Sequence, residues 1–364
     1  MKNMVRTNIV MQTTAKHSNR TRKSICASVS FFLLRLAKAG ASGTDSMKQL
    51  ILSLLILSLA SIVSGSGREV SAQDDAFSPQ ATVLKVPRDY ATIQAAVNAA
   101  STGDTIKVAA GVYNENVVIS TSALRLKGEG AVIDGAGLTG TGILVIGTAA
   151  QPLADVEVSG FEVRGFQRGI VLQLTTRGRV SGNDVHDNNK WPGAAGALDQ
   201  AIGIDLVTAT FSDVSENSVH NNGAGGIQPH VGSTNNVVHG NNIFENGALL
   251  TTDMSGRGVL VTGAGTIDNE IRSNKILRNF GRGIMIGRPV GTVPITGNLV
   301  LQNKLHENQR CGVCIMGAAQ DNIVIKNDAT GNNLSGLAPC LTFNLFDDPP
   351  LDNIWRKNKG TSNF

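Results

Sequence analysis

Val237-Val238-His239-Gly240-Asn241-Asn242-Ile243-Phe244-Glu245-Asn246-Gly247 alternates apolar and polar residues between two asparagines set five apart. The same spacing recurs at Asn183/Asn188, Asn217/Asn222, Asn274/Asn279, Asn303/Asn308 and Asn327/Asn332, after a degenerate first copy at Gly160/Gly165. A Gly-hydrophobic pair follows each copy: Gly169-Ile170, Gly203-Ile204, Gly226-Ile227, Gly258-Val259, Gly283-Ile284, Gly312-Val313 and Gly336-Leu337. Successive first positions are 23, 34, 24, 33, 29 and 24 residues apart. A unit of this length buries its apolar face only by stacking on its neighbours. The alternation gives each unit two or three short strands and no helical stripe. Asparagine tolerates the left-handed backbone of a turn, and identical positions stacked about 4.8 Å apart let one amide pair with the next. The expected fold is all-β, a single-stranded solenoid of parallel strands with asparagine ladders.

The chain resembles the right-handed parallel β-helix proteins of the pectin-lyase-like superfamily. Residues 86–119, from Val-Pro-Arg-Asp-Tyr-Ala-Thr-Ile-Gln through Gly-Asp-Thr-Ile-Lys-Val to Asn-Glu-Asn-Val-Val-Ile, are similar to that family's N-terminal entry. Ile93, Ala96, Val97 and Ala100 fall on one helical face, which predicts a short helix capping the open end of the core. The resemblance covers about residues 81–360 and implies fold, whereas function depends on the site.

One domain, 81–360 with both caps, is expected, followed by a tail at 361–364. Lys48, the apolar run from Leu50 to Val63 and Val70-Ser71-Ala72 make 47–72 a secretory signal peptide, with 73–80 as linker. That run is too short for a membrane span. Residues 1–46 are basic and rich in Ser and Thr, so translation is expected to begin at Met47, the alternative being a targeting extension. Residues 1–72 hold 10 Lys/Arg and 2 Asp/Glu. The remainder therefore carries 32 − 10 = 22 basic and 28 − 2 = 26 acidic residues, a net charge of −4. No basic cluster interleaved with aromatics remains there, which argues against nucleic acid as partner. A secreted or periplasmic location follows from the leader.

Export would leave Cys311, Cys314 and Cys340, an odd count for an oxidising compartment. Aligning the last two units on Gly312 and Gly336 puts Cys314 one ladder step from Cys340, which favours a disulfide between these two, with Cys311 as alternative partner. A Cys-x-x-Cys pair near Met316 can also be redox-active or hold a soft metal.

With each Gly-hydrophobic pair as register, one outward ladder reads Val171, Asp205, Gln228, Leu260, Met285, Cys314, Ala338. The next reads Gln173, Val207, His230, Thr262, Gly287, Met316, Cys340. Polar chemistry concentrates at Asp205, Gln228 and His230. The second Asn and the strand Gly are 4 residues apart in five units, but 15 apart between Asn188 and Gly203 and 12 between Asn246 and Gly258. Both insertions leave at the same turn and would wall a cleft, bringing Lys190 and Trp191 from one side and Arg257 from the other.

Gly226-Ile227-Gln228-Pro229-His230 is similar to the catalytic coil of mannuronan C5-epimerases and related alginate lyases, whose motif is Tyr-Gly-Phe-Asp-Pro-His. Pro229 and His230 match, while Gly225 stands at the Tyr, Gln228 at the Asp and Thr262 about where a second Asp falls. The resemblance implies an exported protein acting on an acidic polysaccharide, a polyuronide, as lyase or C5-epimerase. His230 and Asp205 would be catalytic, with Gln228, Trp191, Lys190, Arg257 and Arg282 binding substrate. Bidentate arginine suits a uronate carboxylate, and Arg168, Arg257 and Arg282 each precede a strand glycine. No metal site or cofactor is expected, since no outward Asp cluster collects ligands for calcium. The alternatives are a non-catalytic glycan-binding or envelope β-helix and, from the sulfur residues, a periplasmic copper-delivery accessory protein similar to those of nitrous oxide reductase maturation.

Overall fold

The structure, a computed structural model, describes residues 81–363 except 191–200, 251–255, 289–293, 337–339, 341–342 and 349–351. The chain divides into Met1–Ser78 and Pro79–Phe364, and all described residues belong to the second unit. The segments assigned above to an extension, a signal peptide and a linker lie outside the described residues, as does Trp191.

A right-handed parallel β-helix occupies the described chain. One coil shows the plan: strands Asp213–Ser215, Ser218–His220 and Gly225–His230, joined by corners. Val214, Val219 and Ile227 point inward and are buried. Each sits in register on its counterpart one coil on: Val214 on Val238, Val219 on Ile243, Ile227 on Val259. Columns of Val, Ile and Leu therefore run the length of the core, each buried side chain worth about 2 kcal/mol against exposure. The first two strands of every coil belong to a 16-stranded sheet that branches at the long strand Glu157–Arg164; the third strands form a separate 9-stranded sheet. That second sheet carries every candidate site residue placed on a strand.

The asparagines do more than the repeat spacing implies. Asn246 is buried, and its side-chain nitrogen donates to the Val219 carbonyl at 2.9 Å and to Asn279 Oδ1 at 3.1 Å. Its own Oδ1 accepts from both the backbone and the side-chain nitrogen of Asn222. The same contacts repeat from Asn183 to Asn358, and a third ladder, which the five-residue spacing does not reveal, links Asn236, Asn269, Asn298, Asn322 and Asn353. The left-handed backbone falls elsewhere than expected. It belongs to the residue before each ladder Asn, such as Glu216, Asn221, Glu245 and Arg278, so the corner turns one residue early and the Asn side chain swings inward.

Ile93–Ala99 forms the capping helix and buries Ile93, Ala96 and Val97. Thr92 caps it by accepting from the Ala95 amide, and the Glu115 carboxylate accepts from the amides of Ile93 and Gln94 at 2.9 Å each. At the other end the register departs from expectation. In the 9-stranded sheet the strand beyond Val313–Met316 is Leu345–Asp348, which pairs Cys314 with Phe346 and Met316 with Asp348. Gly336 and Cys340 are therefore not the next rung. The residues from Asn333 to Asn344 form a connection between ladder positions, because Asn344 Oδ1, not a residue beyond Gly336, accepts from the Asn332 amide.

Candidate functional site

The outer face of the 9-stranded sheet carries two chemistries in succession. Its register puts Asp205 beside Val171 and Gln228, and Val207 beside His230, as the strand alternation implies. These positions point away from the core yet are not open: Asp205 is 0% exposed and Gln228 1%. Outward on a strand is not the same as solvated where neighbouring side chains close over the position, as Arg168 and His230 do on Asp205.

Four side chains meet in the earlier coils. Arg168, which precedes its strand glycine, runs along the sheet and donates from Nη1 to Asp205 Oδ2 at 3.2 Å. The other carboxylate oxygen stands 3.2 Å from His230 Nε2. His230 Nδ1 lies 3.3 Å from the Gln228 side-chain nitrogen. His230 Nε2 is thus within ion-pair distance of Asp205, and with the proton on Nε2 the unprotonated Nδ1 accepts from the Gln228 amide. Arg288 Nε donates to Thr262 Oγ1 at 3.3 Å, and Thr262 bridges His230 one coil back.

The structure thus brings together Asp205, Gln228 and His230. Arg257 and Arg282 stack in register with each other, both buried, at the start of their strands. His230 ends its strand and so lies about 16 Å along the sheet from that column. Lys190 does not join them, since its ammonium group donates to the carbonyls of Gly135 and Leu138 and closes an N-terminal coil instead. The other histidines work locally: His186 stacks on His220 and His220 on Phe244, while His239 faces Asp213.

Two coils further on, the same face turns from polar to sulfur chemistry. Met285 pairs with Cys314 and Gly287 with Met316. Leu260, Met285, Cys311, Cys314, Met316, Cys340 and Phe346 form a buried cluster separate from the core. The sulfurs of Cys311, Cys314 and Cys340 lie within 4.8 Å of one another, and among the described residues this is the one grouping of His, Cys, Asp and Glu that could hold a metal ion. Cys311 is the hub. Its Cα lies 6.0 Å from that of Cys314 and 5.7 Å from that of Cys340, while the Cys314 and Cys340 sulfurs are 3.6 Å apart. A divalent sulfur makes one disulfide at a time, so these three cysteines hold at most one. The grouping holds both pairings the sequence leaves open, Cys314 with Cys340 and Cys311 as alternative partner, together with a donor set suited to a soft metal. The reason is the register change described above: Cys340 comes in across the sheet from the long connection and meets Cys311, which occupies the column of Arg257 and Arg282.

No helix among the described residues is long and apolar enough to cross a membrane. A comparison with curated proteins finds no match. Solved structures similar to the chain share its fold at low identity. The A-module of mannuronan C-5 epimerase AlgE4 from Azotobacter vinelandii is 14% identical over 75% of this chain and 92% of its own, with a TM-score of 0.45. ORF18 of Geobacillus virus E2 is 14% identical over 76% of this chain and 61% of its own, with a TM-score of 0.52. An alginate lyase from Paenibacillus sp. str. FPU-7 is 15% identical over 78% and 99%, with a TM-score of 0.44. At this identity they speak to the coil and not to its chemistry. A family described as periplasmic copper-binding protein (NosD) matches residues 97–337, which takes in the end of the capping helix, the coils as far as Asn332 and both Cys311 and Cys314 but stops short of Cys340 and the last strands. By that match over well above half its length, the chain belongs to the NosD family of parallel β-helix proteins.

Proposed function

We propose that this is an exported soft-metal protein that takes up monovalent copper as cargo at Cys311, Cys314 and Cys340. The observation that carries the reading is the convergence of three buried sulfurs within 4.8 Å on one sheet face. Thiolates are the ligands that select monovalent copper over harder ions, and three of them match the low coordination numbers that ion accepts. Met285 and Met316, two more soft side chains, share the cluster. Apolar surroundings from Leu260 and Phe346 exclude water and competing oxygen ligands. Family membership agrees with the site. The decisive experiment is titration of the reduced protein with monovalent copper against a chromophoric chelator, followed by X-ray absorption at the copper edge. One ion per chain in an all-sulfur shell, lost in Cys311→Ser and Cys314→Ser, is the expected result; uptake unchanged in both variants would sink the reading.

A second reading rests on the Arg168–Asp205–His230–Gln228 group. A histidine oriented by a carboxylate, with arginines on the same face, is chemistry that acts on an acidic glycan. For proton abstraction the Gln228 amide has to yield its place at Nδ1 to the substrate. Proton NMR of polyuronides incubated with the protein in heavy water tests it through exchange at C5 and new unsaturated ends. Turnover that persists in His230→Ala would remove this reading.

A further inference from the structure

Cys311 stands between two cysteines that are equally able to bond it but that belong to different parts of the chain. Cys314 is on the strand Val313–Met316, which begins two residues after Cys311, Cα to Cα 6.0 Å away; Cys340 lies between ladder residues Asn332 and Asn344, 5.7 Å away. Both separations fall in the range a disulfide spans. All three residues are fully buried, and their sulfurs are within 4.8 Å of one another. Such a trio has two states with different chemistry. Reduced, it offers three thiolates. Oxidised by two electrons, it has one disulfide and one remaining thiol.

We infer that the site is redox-gated, with Cys311 as the pivot of two alternative disulfides whose formation removes the soft-metal site. Closure consumes two thiols and one low-molecular-weight disulfide. A cysteine thiolate attacks a sulfur of that disulfide and expels one thiolate. The Cys311 sulfur then displaces the second from the mixed disulfide, giving the protein disulfide and two small thiols. Exchange between the two closed forms needs no further oxidant. The Cys314 thiolate attacks Cys311 in the Cys311–Cys340 bond and releases Cys340 as thiolate, and the reverse step restores it. One closed form ties Cys340 covalently to Cys311, 29 residues earlier; the other joins residues only three apart.

The metal consequence rests on the soft-metal reading, while the pivot chemistry does not, and one experiment separates them. The full chain carrying Cys26→Ser, so that only the three cysteines remain, is equilibrated with oxidised glutathione. It is then quenched with acid, alkylated and mapped by mass spectrometry, and copper uptake is measured in parallel. The expected map shows Cys311–Cys314 and Cys311–Cys340 bonds with one alkylated thiol per chain. Copper uptake should fall at least tenfold and return on reduction. Cys314→Ser and Cys340→Ser each still close a disulfide to Cys311, whereas Cys311→Ser keeps two thiols or carries glutathione. A Cys314–Cys340 bond as the main product, or three thiols surviving the oxidant, overturns the pivot. Full copper uptake by the mapped disulfide form overturns the gate. A reduced protein that takes up no copper refutes the soft-metal reading and leaves the map to decide the pivot.

Discussion

His230 and Asp205 face each other diagonally across adjacent coils, with Nε2 of the imidazole 3.2 Å from one carboxylate oxygen while Arg168 holds the other. The carboxylate is fully buried and Arg168 about a third exposed. Removing the acid therefore strands a partly buried guanidinium and an imidazole together. Asp205→Ala is expected to cost about 3 kcal/mol. Arg168→Ala, where water can reach the vacated side, should cost about 1 kcal/mol. Urea midpoints of the two variants check the order, and equal losses would mean that the pair is not coupled as its geometry indicates.

The ladder amides act through donors that have no substitute. Asn246→Asp keeps the shape but removes the hydrogens given to Val219 and Asn279 and sets an acceptor against acceptors. A loss of about 3 kcal/mol or more is expected. Asn358→Asp, at the partly buried end of its ladder, should lose about 1 kcal/mol. Denaturant unfolding of both proteins gives the comparison.

Asp347 faces inward beside Ile315 at the C-terminal end of the core. Burial pushes its carboxyl above the ordinary 3.8, against the hydrogen bonds from Trp355 and Asn353 that pull it down, and neighbouring Asp348 adds to the rise. Since the folded value exceeds the unfolded one, the stabilising contribution is complete below the ordinary value and is lost as pH rises through the raised one. Thermal melts followed through the tryptophans should show stability falling as pH climbs out of the acid range, and Asp347→Asn should flatten that slope. An unchanged slope in the variant would assign it to other groups.

At the opposite end, Glu115 and Thr92 both serve the capping helix, but Glu115 satisfies two amides and Thr92 one. Glu115→Ala is expected to cost about 2 kcal/mol and Thr92→Ala about 1 kcal/mol. Hydrogen exchange at Ile93 and Gln94 should rise more in the first variant than in the second.

The asparagine pairs made the coil legible because a solenoid writes its architecture once per turn. The strand register was readable for the same reason: alternation from a fixed glycine placed Asp205 beside Gln228 and Val207 beside His230 without a structure. Covering was not readable. Alternation tells which way a side chain leaves its own strand and nothing about the neighbours that close over it, so positions read as outward came out buried. Lys190 was misplaced because a five-atom side chain on an insertion can reach carbonyls in a coil more than fifty residues earlier. The sulfur residues were singled out in the sequence, but the repeat breaks after Asn332, and extending the register across that break set Cys340 opposite the wrong residue. One signal was available: Cys311 directly precedes a strand glycine, in the place that Arg168, Arg257 and Arg282 hold in other coils.

Successive ladder partners are 34, 24, 33, 29 and 24 residues apart in the chain, yet the asparagines meet at the same distances throughout. The surplus residues leave the coil at only two places, after the second ladder asparagine and after the third strand. The molecule is in this respect a chassis with standard sockets. Length added between the second ladder asparagine and the third strand, as the chain itself does between Asn188 and Ile202, leaves the spacing of the rungs unchanged.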